Sequence, residues 1–97
     1  MHAAALRVEL RIRSAQSLKA KRHIVKSLLA LLTSKFSVAV AEVDYQDKWQ
    51  RATIGVASVA SSPGQLDRIL HTVRMIITER TDVEVLRYAV SYIERPE

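Results

Sequence analysis

Ninety-seven residues, 48% of them hydrophobic and 26% charged, with 2 Gly and 2 Pro, describe one domain spanning 1–97 that can bury roughly 65% of its chain surface. That composition excludes a disordered tail and a collagen-like repeat. Fifteen Lys and Arg against 10 Asp and Glu give a net charge of +5, which points to an anionic partner. The chain has no cysteine, so disulfides, thiolate metal sites and thiol nucleophiles are excluded and a reducing cytoplasm is the expected compartment. Residues 1–14 carry Arg7, Glu9, Arg11 and Arg13 between their apolar positions. Such a segment offers neither a signal sequence nor a membrane span, so no membrane partner is expected.

From Leu6 onward the chain alternates strictly, with Leu6, Val8, Leu10 and Ile12 on one side and Arg7, Glu9, Arg11 and Arg13 on the other. This is the period of a half-buried strand. Ser17 reads as a helix N-cap, and 100° steps over 18–35 gather Leu18, Ile24, Val25, Leu28, Leu29, Leu31 and Leu32 on one side of a long amphipathic helix. Residues 36–43 are apolar and β-branched, 44–48 are polar and turn-forming, and 49–60 are again rich in strand formers, so a hairpin is expected. Ser61-Ser62-Pro63-Gly64 breaks the chain, with Ser62 as cap and Pro63 at the first helical position. Leu66, Ile69, Leu70, Val73, Ile76 and Ile77 then share one helix face. Thr81-Asp82 ends this helix. In 83–93, Leu86, Tyr88, Val90 and Tyr92 alternate against Arg87, Ala89 and Ser91 as a last strand. The order βαββαβ, with two helices each bearing a single apolar stripe, predicts an α+β, ferredoxin-like sandwich: an antiparallel four-stranded sheet with both helices on one face.

The segment Ser17-Leu18-Lys19-Ala20-Lys21-Arg22, followed by 41–52 (AEVDYQDKWQRA), resembles the YlxP-like family of bacterial domains of unknown function. The resemblance covers nearly the whole chain and implies the same ferredoxin-like fold. Genes of that family commonly neighbour those for a transcription elongation factor, a translation initiation factor and ribosome-binding factor A. The resemblance therefore implies a role near transcription, translation or small-subunit maturation. Tyr45 stands where members of the family often carry His, so no imidazole role in that loop carries over.

Three regions are candidates for function. On the first helix Lys19, Arg22, His23 and Lys26 follow i, i+3, i+4, i+7 and form one basic face opposite the leucines, with Lys21 at the edge of the apolar stripe, its stem able to snorkel to the same helix end. Cations in the first turns oppose the helix dipole by roughly 0.3–1 kcal/mol each, so local physics is overruled there. Together with unpaired main-chain N–H groups they would cradle phosphates of RNA. The second region is the sheet face without helices, expected to present Arg7, Arg11, Arg13, Arg51 and Arg87 beside Ala39, Ala41, Gly55, Ala57, Ala89 and Ser91. Arg11 and Arg13 are assigned to RNA contact. The same small residues allow a face-to-face homodimer, and both uses stay open alongside a plain solvated face. Aromatic stacking as in base-reading sheets is not expected there, because Tyr88 and Tyr92 share parity with Leu86 and Val90.

The third region is the hairpin loop, where Tyr45, Trp49 and Arg51 are candidate partner-binding residues. For the two aromatics, a staple closing the hairpin onto the core is the favoured alternative. The loop carboxylates Glu42, Asp44 and Asp47 lack the spacing of a calcium loop, and a turn with cross-strand pairing to Arg51 is expected instead. His2, His23 and His71 have no ligand spacing, and no Walker lysine loop, GxGxxG or nucleophile elbow appears. No catalytic residue, metal or cofactor is therefore expected. The reading is a non-enzymatic RNA- or ribosome-associated module, with a protein-interaction or homodimerisation module as the alternative.

Overall fold

A computed structural model describes residues 1–93 of the chain. Its elements are β1 (His2–Arg11), α1 (Leu18–Lys35), β2 (Ala39–Asp44), β3 (Arg51–Ala60), α2 (Pro63–Glu79) and β4 (Glu84–Ile93). The strands form one antiparallel sheet in the order β2-β3-β1-β4, and both helices pack on it. This is the ferredoxin-like α+β sandwich that the alternation predicts. No helix among the described residues is long and apolar enough to cross a membrane.

The core lies between the sheet and the helices. Leu6, Val8, Leu10 and Ile12 of β1 and its extension meet Ile54 and Val56 of β3 beneath Val25, Leu28 and Leu32 of α1 and Leu66, Leu70, Val73 and Ile77 of α2. Both caps form as expected. Ser17 Oγ accepts the Ala20 N–H at 3.0 Å and Ser62 Oγ accepts the Gln65 N–H at 3.2 Å, interactions that contribute about 1 kcal/mol each.

Strand boundaries depart from the sequence reading in three places. β1 begins at His2 rather than Leu6, because Ala3, Ala4 and Ala5 pair with Val59, Ser58 and Ala57 of β3, contacts that a run of identical small residues does not reveal. β1 also ends at Arg11, so Arg13 lies in the following loop. β2 begins at Ala39 and β3 at Arg51, leaving Phe36 to close α1 through its N–H to Leu32 O at 3.1 Å.

Leu86 does not share a face with Tyr88, contrary to the strict alternation. The register of β4 on β1 shifts between Glu9 and Leu10, placing Val85 opposite Leu10 and leaving Leu86 as an extra residue turned outward. A second shift, in β2, pairs Glu42 with Ile54 and Asp44 with Thr53, so Val43 is likewise extra and exposed. Its Cγ1 would lie 3.2 Å from a Cβ at Gly55, a close approach that the bare glycine permits.

Leu28 is fully buried beneath the sheet. Leu28→Ala is expected to lower unfolding free energy by about 2–5 kcal/mol, measured by urea denaturation, whereas Ala57→Ser on the exposed face should leave the midpoint unchanged. Equal midpoints for Leu28→Ala and the parent would contradict this helix phase.

Candidate nucleic-acid interface

The antiparallel order brings the ends of β1 and β2, the starts of β3 and β4 and the N-terminus of α1 to one end of the sandwich. There the connections 12–17 and 45–50 are tied together. Ile12 N–H donates to Gln50 O at 2.9 Å, and Gln50 Nε2 donates to both Arg13 O and Ala15 O at 3.1 Å. The loop preceding α1 and the loop joining β2 to β3 therefore form one surface.

Helix α1 opens that surface. Its 18 residues contain no Asp or Glu. Lys19, Arg22, His23 and Lys26 are all exposed, and among the described residues none of these four has a carboxylate within ion-pair distance. The basic face expected from the i, i+3, i+4, i+7 spacing is thus present, with its charges free.

Lys21 is the exception and corrects the sequence reading. It is 0% exposed, and its stem runs under the hairpin loop instead of out toward solvent. Nζ lies 2.6 Å from Glu42 Oε2, and donates to Tyr45 O at 2.6 Å and to Gln46 O at 3.4 Å. The contact to Glu42 is an ion pair outside hydrogen-bond angles, and no other donor among the described residues reaches Oε2. A buried ammonium with three acceptors around it has no capacity left for a phosphate. One signal for this pair lies in the sequence: Glu42 has the parity of Val38 and Val40, and so points toward the helix on which Lys21 borders the apolar stripe.

The hairpin loop is held by that ammonium. Tyr45 has φ 63°, the only positive φ at a non-glycine residue among those described, a conformation that costs free energy without local support. Support comes from both sides. Asp44 Oδ1 accepts the Tyr45 N–H at 2.8 Å, while Tyr45 O accepts the Lys48 N–H at 3.0 Å as well as Lys21 Nζ.

The remaining expected site residues are distributed as follows. Arg13 donates from Nε to Glu84 at 2.9 Å, and this bond holds the Glu84 carboxyl below the usual carboxylate range. Arg11 is half-buried and free of an ion pair among the described residues. Both line a shallow cleft of about 460 Å³ with Ser14, Asp82 and Glu84, and Asp82 is in turn bound by Arg80, which lowers its pKa. Arg51 lies over the Tyr45 ring at 4.6 Å and reaches Glu9 at 3.4 Å, so its partner is a strand carboxylate and not the loop acids. Asp44 pairs with Arg7 at 3.5 Å. Among the described residues no group of three metal-ligating side chains comes together.

Trp49 does not staple the hairpin to the core. It is 53% exposed and packs outside the buried cluster, because β3 starts two residues later and Gln50, not Trp49, makes the inward bonds.

A four-stranded antiparallel sheet in this order, carrying two helices, defines a ferredoxin-like α+β domain whose charged end is built from α1 and the β2–β3 loop. The chain belongs to the family described as "Protein of unknown function (DUF503)", whose model matches residues 3–90. It is 40% identical over 73 residues to the "Uncharacterized protein YlxP" of Bacillus subtilis (strain 168), covering 75% of this chain and 79% of that one. A more distant likeness is to a REP-associated tyrosine transposase bound to a REP hairpin, at 10% identity and a TM-score of 0.47. That comparison covers 97% of this chain and 57% of the transposase chain.

Removing the Lys21 ammonium should strand a carboxylate that is only 16% exposed. Lys21→Met is expected to cost about 3 kcal/mol, and Glu42→Leu added to it should recover most of the loss in a double-mutant cycle by urea unfolding. A Lys21→Met variant as stable as the parent would show that the pair does not hold the loop.

Proposed function

We propose that this domain is a non-enzymatic RNA- or ribosome-associated module, acting in translation or small-subunit maturation, with α1 as its main phosphate contact. The observation that carries the reading is the helix without acids, whose exposed Lys19, Arg22 and Lys26 have no carboxylate partner among the described residues. Arg7, Arg13, Arg51, Arg80 and the buried Lys21 of α1 itself are each matched by an Asp or Glu, and the other cations without a partner among the described residues, such as Arg11, Arg68 and Arg87, are spread over β1, α2 and β4. Leaving cations unmatched at the positive end of a helix dipole is unfavourable for the isolated domain, and an approaching polyanion relieves it. The gene neighbourhood implied by the family resemblance agrees in kind.

Affinity for structured RNA is expected to fall with salt by roughly 0.7–0.9 log units per phosphate contact per log unit of salt. The Lys19→Glu, Arg22→Glu double variant should bind more weakly and with a shallower slope, read by fluorescence anisotropy of labelled RNA. An unchanged slope in a folded variant would remove α1 as the binding surface.

A second reading, a homodimer through the helix-free sheet face, is favoured by one feature. Ala5, Ala39, Ala41, Val43, Gly55 and Ala57 line a shallow apolar depression of about 260 Å³ on that face. Burial of such a surface strengthens as arginine repulsion is screened, so a dimer would persist at high salt where RNA binding weakens. Ala57→Arg is expected to convert that dimer to monomer by light scattering, and a monomeric parent would eliminate it.

A further inference from the structure

We propose that Trp49 is a stacking platform for an unpaired nucleobase, so that the RNA taken by this domain is single-stranded, or carries a bulged or looped-out nucleotide, where it meets the hairpin loop. This rests on the reading of α1 as the phosphate contact and names the class of RNA that the same end of the molecule accepts.

Four observations support it. Trp49 is the sole tryptophan of the chain and is 53% exposed, although burying its ring would be favourable and a core lies directly beneath the strand it precedes. The segment bearing it is fixed on both sides, to α1 at one end and to the loop preceding α1 at the other. Lys21 Nζ holds Tyr45 O and Gln46 O, and Gln50 Nε2 holds Arg13 O and Ala15 O. A ring presented on a loop anchored at both ends loses little conformational freedom when a flat ligand settles on it.

The third observation is charge. Asp44 is paired with Arg7, and Lys48 precedes Trp49 in the chain. The Lys21 anchor binds the loop to the helix whose Lys19, Arg22 and Lys26 have no carboxylate partner among the described residues. A cationic track beside an exposed aromatic is the combination that holds single strands, with phosphates on the cations and a base on the ring. Fourth, two other candidate rings are already covered. The Arg51 guanidinium lies over Tyr45, and that of Arg74 lies 4.5 Å from the centre of Tyr88. Duplex RNA keeps its bases stacked inside and offers none to an indole.

Because Trp49 is the only tryptophan, its emission reports stacking directly. Titrating the full chain with a short single-stranded oligouridylate should quench it saturably, while a duplex of equal length should bind by anisotropy without quenching. Trp49→Leu should weaken single-strand binding between about 5- and 150-fold, with the salt slope and the duplex affinity unchanged. Single strands that bind without moving the emission, or that bind Trp49→Leu as tightly as the parent, would overturn the stacking proposal while leaving α1 as the phosphate contact and Trp49 to a protein partner. Failure of both RNAs to bind would overturn the two together.

Discussion

An ammonium group with no exposure must be matched where it sits, and that constraint at Lys21 organises the whole loop end of the domain. Burying a lone cation is far more costly than any single packing contact repays. The structure meets the demand with a carboxylate from β2 and two main-chain carbonyls from the loop that follows it. The helix, the edge strand and the hairpin loop are thereby held in one arrangement. The same ammonium helps to hold Tyr45 in its left-handed conformation, while Gln50 fixes the far end of the loop. The pair thus specifies geometry more than it adds stability, since a well-packed apolar substitute at both positions could hold the helix to the strand without fixing the loop.

Two sets of cations in the chain differ in their surroundings. One consists of arginines and a lysine whose acidic partners lie across strands or loops, and these shape the sheet face and the cleft by β4. The other is the set on α1, a helix that carries no acid to offset it. A net charge of +5 read from composition cannot tell these apart, because it counts a neutralised arginine and a free one alike. The second set lies together on one exposed helix face, where its charges add to a local field that a distant polyanion can sense.

How far the fold was legible follows from which signals are local. The two caps, both helix spans and the order of elements rest on residues within a turn or two of each other, such as Ser17 with Ala20 and Ser62 with Gln65, and the sequence states them directly. The strand starts at His2 and Ala39 do not, because alanine is silent in a hydrophobic alternation and only the partner strand decides. Strict alternation puts Leu86 on the wrong face for a related reason: it assumes no inserted residue, and one extra residue changes the parity of everything before it. At the candidate site the i, i+3, i+4, i+7 basic spacing located four exposed residues. Lys21 lay one step off that face, where a helical wheel cannot distinguish a stem rising to solvent from one running beneath a loop that is distant in sequence.

The two register shifts have a bearing on assembly. Each adds its extra residue, Val43 or Leu86, to an outermost strand, β2 or β4, while the inner strands β1 and β3 pair with each other without interruption. An edge strand with regular spacing offers a row of main-chain donors and acceptors to any other extended chain. An inserted residue breaks that row and increases the local twist, so the two free borders are poor templates for continuing the sheet into a neighbouring molecule. A domain with both borders blunted in this way is guarded against ribbon-like polymerisation through its sheet edges.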